Sequence, residues 1–363
     1  RDLHSFPTRR SSDLFLNGIC VVVAVPGSGK TLTMTHRIGN LVKKHGIAPE
    51  NILGLTFTRN AAEAMREKLV PVLDDMASRV QLSTIHSFCH YLLRNEGVTF
   101  NVLSGKDQIV FLRDVMKRLR IKDLSIGMVL REISLAKNNL IDVDEFRALY
   151  EGDQSMLKVA DIYESYDREK SKKLLLDFDD LLVFFERLLR EHTDICSRLS
   201  AKYRFIMVDE YQDTNLIQAR IVYLLARQHQ RIMVVGDDSQ SIYSFRGANF
   251  RNIMDFPELF PETRILTLEE NYRSVAPILS LTNQLIQQAV EKYPKHLFSR
   301  KTLGNPPVLV HTGSENSQSR FIVDKIRELH REEIPLEDMA VLFRAGFHAF
   351  DLEVELAREG IAF

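Results

Sequence analysis

The chain has 363 residues, 45% of them hydrophobic and 27% charged, with a formal net charge of −1. This is the balance of an ordinary globular protein long enough for two or more domains, and no apolar stretch reaches the ~18 residues of a membrane-spanning helix. The three cysteines, Cys20, Cys89 and Cys196, lack metal-ligand spacing, which points to a reduced, cytoplasmic setting. A near-neutral charge neither supports nor excludes nucleic acid, because a local groove can be basic on a neutral protein. Tryptophan is absent, so any base stacking must use Phe, Tyr, His or Arg.

Residues 1–14, RDLHSFPTRRSSDL, are polar and aperiodic and run abruptly into an apolar strand. They lack the apolar core of a secretory signal and read as a non-native tail, similar to a translated sequencing adapter. The strand at 21–25 then meets Pro26-Gly27-Ser28-Gly29-Lys30-Thr31. A buried strand, a glycine turn and a helix start leave backbone N–H groups pointing outward, able to cradle phosphate oxygens. In that pattern Lys30 reaches the β/γ-phosphates and the Thr31 hydroxyl ligates Mg2+. Ala24 stands where the general G-x-x-x-x-G-K-[ST] pattern has its first glycine. Nucleotide binding alone names no function, since many folds and activities share the loop.

NILGLTFT (51–58) reads as a second strand, followed by a helix from Ala61 with Asn60 as its cap and Glu63 at capping-box spacing. VQLSTIHSF (80–88) is a third strand running into a helix. Such alternation predicts a parallel sheet with helices on its faces, an α/β fold. Residues 91–173 show helical periodicity and no convincing strand, and read as a helical insertion. Within it EKSKK (169–173) reads as a solvated face, and the acids of DFDDLL (177–182) as structural residues where the insertion returns to the sheet. His4, His36, His45 and His90 have no ligand spacing and read as surface or packing residues. The sheet pattern resumes at FIMVDE (205–210), RIMVVGDD (231–238) and RILTLEENYRS (264–274). PVLVHTGS (307–314), a helix at 315–331 and MAVLFRA (339–345) read as strands and helix of a second α/β unit.

Two acids, Asp209 and Glu210, sit at the end of an apolar strand. In phosphoryl transfer an aspartate there holds Mg2+ while a neighbour orients water, so Asp209 fits the first role and Glu210 the second. Gln240, after another strand end, is placed to sense a γ-phosphate. Arg273 offers a charge for that phosphate and Tyr272 a flat ring for a base.

Seven stretches in order, AVPGSGKT (24–31), LTFTRNAAEAMREK (55–68), STIHSF (83–88), DFDDLL (177–182), VDEYQDTN (208–215), VVGDDSQSIYSFRGA (234–248) and LEENYRS (268–274), resemble the superfamily 1 DNA helicases of the UvrD/Rep/PcrA type. That family's phosphate loop starts with alanine, as at Ala24. The resemblance implies a two-lobed RecA-like motor, with residues 15–90 and 174–262 as the first lobe, 91–173 as its insertion and 263–363 as part of the second lobe. It implies that Gly27, Ser28, Gly29, Lys30 and Thr31 hold ATP and Mg2+, that Asp209 ligates the metal, and that Glu210 is the catalytic base. Gln240 would couple the γ-phosphate to the DNA side. Tyr272 would stack on adenine, and Arg273 would be an arginine finger reaching the nucleotide only when the lobes close. Phe57, Thr58, His86, Tyr243, Phe245 and Arg246 would face single-stranded DNA, with Phe245 where the family often has tryptophan. Expected partners are single-stranded DNA and single-/double-strand junctions, with repair or replication proteins, no membrane, and a monomer or weak dimer. The family moves 3′ to 5′ and serves repair or replication restart.

Two departures stand out. No adenine-reading glutamine follows Leu16-Asn17, and the chain stops before the family's later motifs, so the expectation is a fragment impaired as a helicase. The alternatives are the helicase subunit of an AddA/RecB-type recombination helicase–nuclease, whose longer chains share most of these motifs, and a non-catalytic nucleic-acid-binding scaffold, against which the intact Lys30, Thr31, Asp209 and Glu210 argue.

Overall fold

A computed structural model describes residues 18–242 and 247–363. The chain separates into two compact units, up to Gly304 and from Asn305 onward.

The first unit is built on a six-stranded sheet of β1 (Ile19–Ala24), β2 (Ile52–Thr56), β3 (Gln81–Thr84), β6 (Phe205–Val208), β7 (Ile232–Gly236) and β8 (Arg264–Leu268), in the order β3-β2-β6-β7-β1-β8. Every pairing is parallel. β1, β2, β6 and β7 are buried along their whole lengths, as expected of a parallel sheet covered on both faces. Met34, Ile38 and Leu69 from helices Lys30–Lys43 and Arg59–Leu73 pack with Val22 and Met207 on one face. Phe88, Leu182 and Ile221 from helices Ile85–Asn95, Phe178–Glu191 and Leu216–Ala226 cover the other, against Val21 and Val208. In such a sheet ligands bind at the carboxyl ends of the strands.

The predicted α/β fold with a parallel sheet is present. Compactness breaks at 304/305, and the boundary expected at 262/263 falls just before β8. β8 pairs with β1 from Cys20↔Arg264 to Ala24↔Leu268, so LEENYRS leaves the edge of the first sheet. A parallel neighbour that distant in sequence has no local signal. The insertion holds helices Gly105–Arg118, Ile126–Asn138, Val143–Leu149 and Gln154–Lys172 around a core that includes Leu112, Ile133 and Tyr166. Helix Ile85–Asn95 runs past residue 90, and a two-residue parallel ladder, β4 (Asn101–Val102) with β5 (Leu175–Leu176), closes the insertion's root.

Two local expectations are corrected. The helix at 59–73 is capped by Thr58, whose side chain accepts from Ala61 N at 3.1 Å, and Asn60 lies inside the helix. Lys170 of the EKSKK run is buried, its ammonium 2.6 Å from Asp177 Oδ2 and bonded to Asp180 Oδ2. It lies four residues beyond the buried Tyr166, on the inward helical stripe. Lys137 joins the cluster at 2.6 Å from Asp180 Oδ1, and Asp177 and Asp180 form a capping box for helix Phe178–Glu191. The acids of DFDDLL therefore bind the insertion to the sheet domain.

The second unit packs Val323 of helix Glu315–Arg331 against Leu352 and Leu356 of helix Phe350–Arg358. The strands expected at 307–314 and 339–345 form no ladder among the described residues. Val308–Val310 and Val341–Phe343 are exposed. An apolar run becomes a strand only where a neighbour takes its N–H and C=O groups.

Candidate functional site

The turn after β1 demands two glycines. Gly27 has φ 72° and Gly29, the N-cap of helix Lys30–Lys43, has φ 88°. Both are left-handed values that cost a side-chain-bearing residue energy. A Cβ on Gly27 would lie 2.8 Å from Arg273 Cβ and 3.2 Å from the Asn271 amide. The cradle is thus held by the segment after β8. Asn271 Nδ2 donates to Pro26 O at 2.6 Å, Tyr272 N donates to Gly27 O at 3.0 Å, and Asn271 Oδ1 accepts from Arg273 N at 2.8 Å. Arg273 therefore stands beside the phosphate loop. Tyr272 OH donates to Glu270 Oε2 at 2.9 Å. Ala24 ends β1 fully buried, and Ser28 is buried in the turn.

β6 delivers the acid pair to the same edge. Lys30 Nζ lies 2.6 Å from Glu210 Oε2. Glu210 has φ 49° and ψ 45°, an uncommon backbone for a non-glycine residue and one that clusters at functional sites. Asp209 is buried, and burial followed by the charge of Glu210 pushes its carboxyl up to about 6. Asp213 is raised to about 6 for the same two reasons. Acids held in this way favour a bound cation. Thr31 on the first helical turn and Asp209 are hard oxygen donors. This fits Mg2+, which takes one or two protein oxygens and completes its shell with phosphate and water.

Gln212 lies within VDEYQDTN. It is fully buried, and Nε2 donates to Glu210 Oε2 at 2.9 Å while Oε1 accepts from Asp237 N at 2.9 Å. Asp237 in turn accepts from Gln240 Nε2 at 2.7 Å and from Lys295. Lys295, which also pairs with Asp238 at 2.6 Å, carried no sequence signal.

A cavity of about 940 Å³ opens at this edge, lined among others by Phe57, Thr58, His86, Asp209, Glu210 and Asp213. Three of the residues expected to face nucleic acid thus line one cavity with the acid pair. Burial pushes the His86 imidazole down to about 4, so the ring is neutral near pH 7. Tyr243, Phe245 and Arg246 lie outside the described residues.

A parallel sheet carrying a glycine cradle, a lysine–glutamate contact and a buried acid at the carboxyl ends of its strands defines a phosphate-loop nucleotide-binding lobe. The UvrD/REP helicase N-terminal domain matches residues 7–261, and the UvrD-like helicase C-terminal domain matches 266–363; the chain belongs to the UvrD/REP helicase family. It is 33% identical to the ATP-dependent DNA helicase PcrA of Bacillus subtilis over 364 aligned residues, covering 98% of this chain and 49% of that protein. To the protein of the same name from Staphylococcus aureus (strain Mu50) it is 34% identical over 344 residues, 93% of this chain and 47% of the relative. The chain thus spans about half the length of these curated relatives.

Proposed function

We propose that this chain is the ATP-hydrolysing part of a DNA helicase that moves 3′ to 5′ along single-stranded DNA and opens single-/double-strand junctions in repair or replication restart. The observation that carries the reading is the 2.6 Å contact between Lys30 of the glycine cradle and Glu210 at the end of β6. Lys30 and the loop amides of Gly27, Ser28 and Gly29 bind the ATP phosphates. Thr31 and Asp209 hold Mg2+, which when bound neutralises charge on the phosphate oxygens. Glu210 orients and deprotonates the attacking water once Lys30 has turned to the nucleotide. Gln240 senses the γ-phosphate through the Asp237 network, Arg273 adds positive charge beside the cradle, and Tyr272 stacks on adenine. Phe57, Thr58, His86, Tyr243, Phe245 and Arg246 face the strand. Aromatic faces give grip without sequence preference, because every base offers a π-face. The protein is a cytoplasmic monomer or weak dimer that works with other repair or replication proteins.

The test is ATP turnover with and without an oligothymidylate, beside Lys30→Ala and Glu210→Gln. Strand-stimulated turnover in the parent, lost in Lys30→Ala, is expected. Glu210→Gln should lose about 10²–10⁴-fold in turnover and still bind ATP. Turnover unchanged in Glu210→Gln would remove that residue from the base role.

A further inference from the structure

The loop that follows the acid pair is held from outside its own sheet. Asn138, the last residue of insertion helix Ile126–Asn138, is buried. Its carboxamide is used at both ends: Oδ1 accepts from Asn215 Nδ2 at 2.7 Å, and Nδ2 donates to Asp179 Oδ1 at 3.1 Å and Ser134 Oγ at 3.2 Å. Asn215 is itself buried and caps helix Leu216–Ala226. The other side of the same loop is clasped by residues beyond the Tyr243–Arg246 stretch. Asn249 N donates to Thr214 O at 3.0 Å, and Asn252 Nδ2 to Thr214 O at 2.9 Å and Asn215 O at 3.1 Å. Gly247 approaches close enough that a Cβ there would lie 3.5 Å from Asn138 Cβ.

Thr214 and Asn215 are thus gripped between the insertion and the segment after 246. Their other end leads into the hydrolytic network, since Asp213 Oδ2 accepts from Gln212 Nε2 at 3.2 Å and the same nitrogen holds Glu210 Oε2. A buried amide leaves its partner unsatisfied if it moves away, so this node favours one arrangement of the three segments over others. We propose that Asn138 is a positioning residue that couples strand occupancy beside Gly247 to the Glu210 loop by way of Asn215. The inference rests on the proposed reading of the chain as a strand-stimulated ATPase. Since Asn138 touches neither acid, its removal should uncouple two binding events and leave each of them in place.

The experiment measures fluorescence anisotropy of a labelled oligothymidylate titrated with the full chain, with and without Mg2+ and a non-hydrolysable ATP analogue. The ratio of the two affinities is the coupling factor, which for linked sites runs to roughly 5–150-fold. Asn138→Ala removes one side of the bond. Asn215→Ser removes the other while keeping an equally good helix cap, and it decides the matter if Asn138→Ala does not fold. Either variant should bring the factor close to one, with strand affinity in the absence of nucleotide held within about threefold, and the double variant should add nothing further. A coupling factor equal to the parent's in Asn215→Ser overturns the proposal. So does a parent that binds strand and nucleotide with no coupling, which leaves the proposed function standing. A parent that binds neither overturns both.

Discussion

The side-chain nitrogen of Gln212 donates to Glu210 Oε2 at 2.9 Å. Because the oxygen of the same amide accepts from Asp237 N at the end of the neighbouring strand β7, one buried side chain spans two strand ends. It orients the carboxylate of Glu210 and ties it to the residue that holds Gln240. Such a network is stiff only when every member is satisfied.

Gln212→Met should therefore act on turnover rather than binding. The variant fills a similar volume but loses the bond to Glu210 and leaves Asp237 N unpaired. A hydrogen bond to a charged group is worth about 1.5–3 kcal/mol, so kcat for ATP should fall roughly ten- to a hundredfold. The KM for ATP should stay within about threefold, because Gln212 does not touch the cradle. Steady-state kinetics separate the two, and a rise in KM at constant kcat would contradict the assignment.

The left-handed backbone of Glu210 gives a test that needs no activity. Glu210→Ala and Glu210→Gly both remove the carboxylate and its contact with Lys30, but only glycine adopts this conformation without a Cβ penalty. The glycine variant should be more stable than the alanine variant by about 1 kcal/mol, less any gain in unfolded-state entropy. Urea denaturation of the pair measures the difference. Alanine more stable than glycine would mean that the strain is absent in solution.

The parts of this arrangement visible in the sequence are those formed by contiguous residues. Gly27, Gly29, Lys30 and Thr31 announce themselves because one turn must supply the left-handed glycines and the helix start together. Asp209 and Glu210 are visible because an apolar strand ends on them. Gln212 was in view, yet its role depends on Asp237 lying on the next strand, and only the order β6-β7 decides that. The place of Arg273 beside Gly27 depends likewise on β8 pairing with β1. The inward place of Lys170 is not legible in a charged run, because only helical phase turns one of its lysines inward. Lys295 lies outside every recognised stretch, and its burial between Asp237 and Asp238 is a consequence of tertiary packing alone.

Two lysines of that run should separate cleanly. Lys170→Met leaves Asp177 and Asp180, both buried, with Lys137 as their remaining lysine partner. Breaking a buried ion pair from one side costs about 3–5 kcal/mol, and the residual contact to Lys137 puts the expected loss near the lower end. Lys172 is exposed and paired only with Glu169 in the same helix, a kind of contact worth at most about 0.5 kcal/mol. Urea unfolding should therefore show a large loss for Lys170→Met and almost none for Lys172→Met. Equal, small effects would return Lys170 to the solvent.

His86 carries a pH signature whose sign follows from its surroundings. Burial holds its imidazole near 4 in the folded chain, against about 6.5 when unfolded. A base with a depressed folded value leaves stability intact above the unfolded value. As pH falls from 6.5 toward 4 the unfolded chain takes up a proton that the folded chain refuses, and stability is lost. His86→Gln removes that loss. The difference in urea-unfolding free energy between variant and parent should shift in the variant's favour by about 1–2 kcal/mol between pH 8 and pH 5. The same neutrality means that His86 adds no charge to the cavity it lines, so replacing it should not change the slope of oligothymidylate affinity with pH between 6 and 8. A constant difference in unfolding free energy across the range would mean that the ring titrates at its ordinary value.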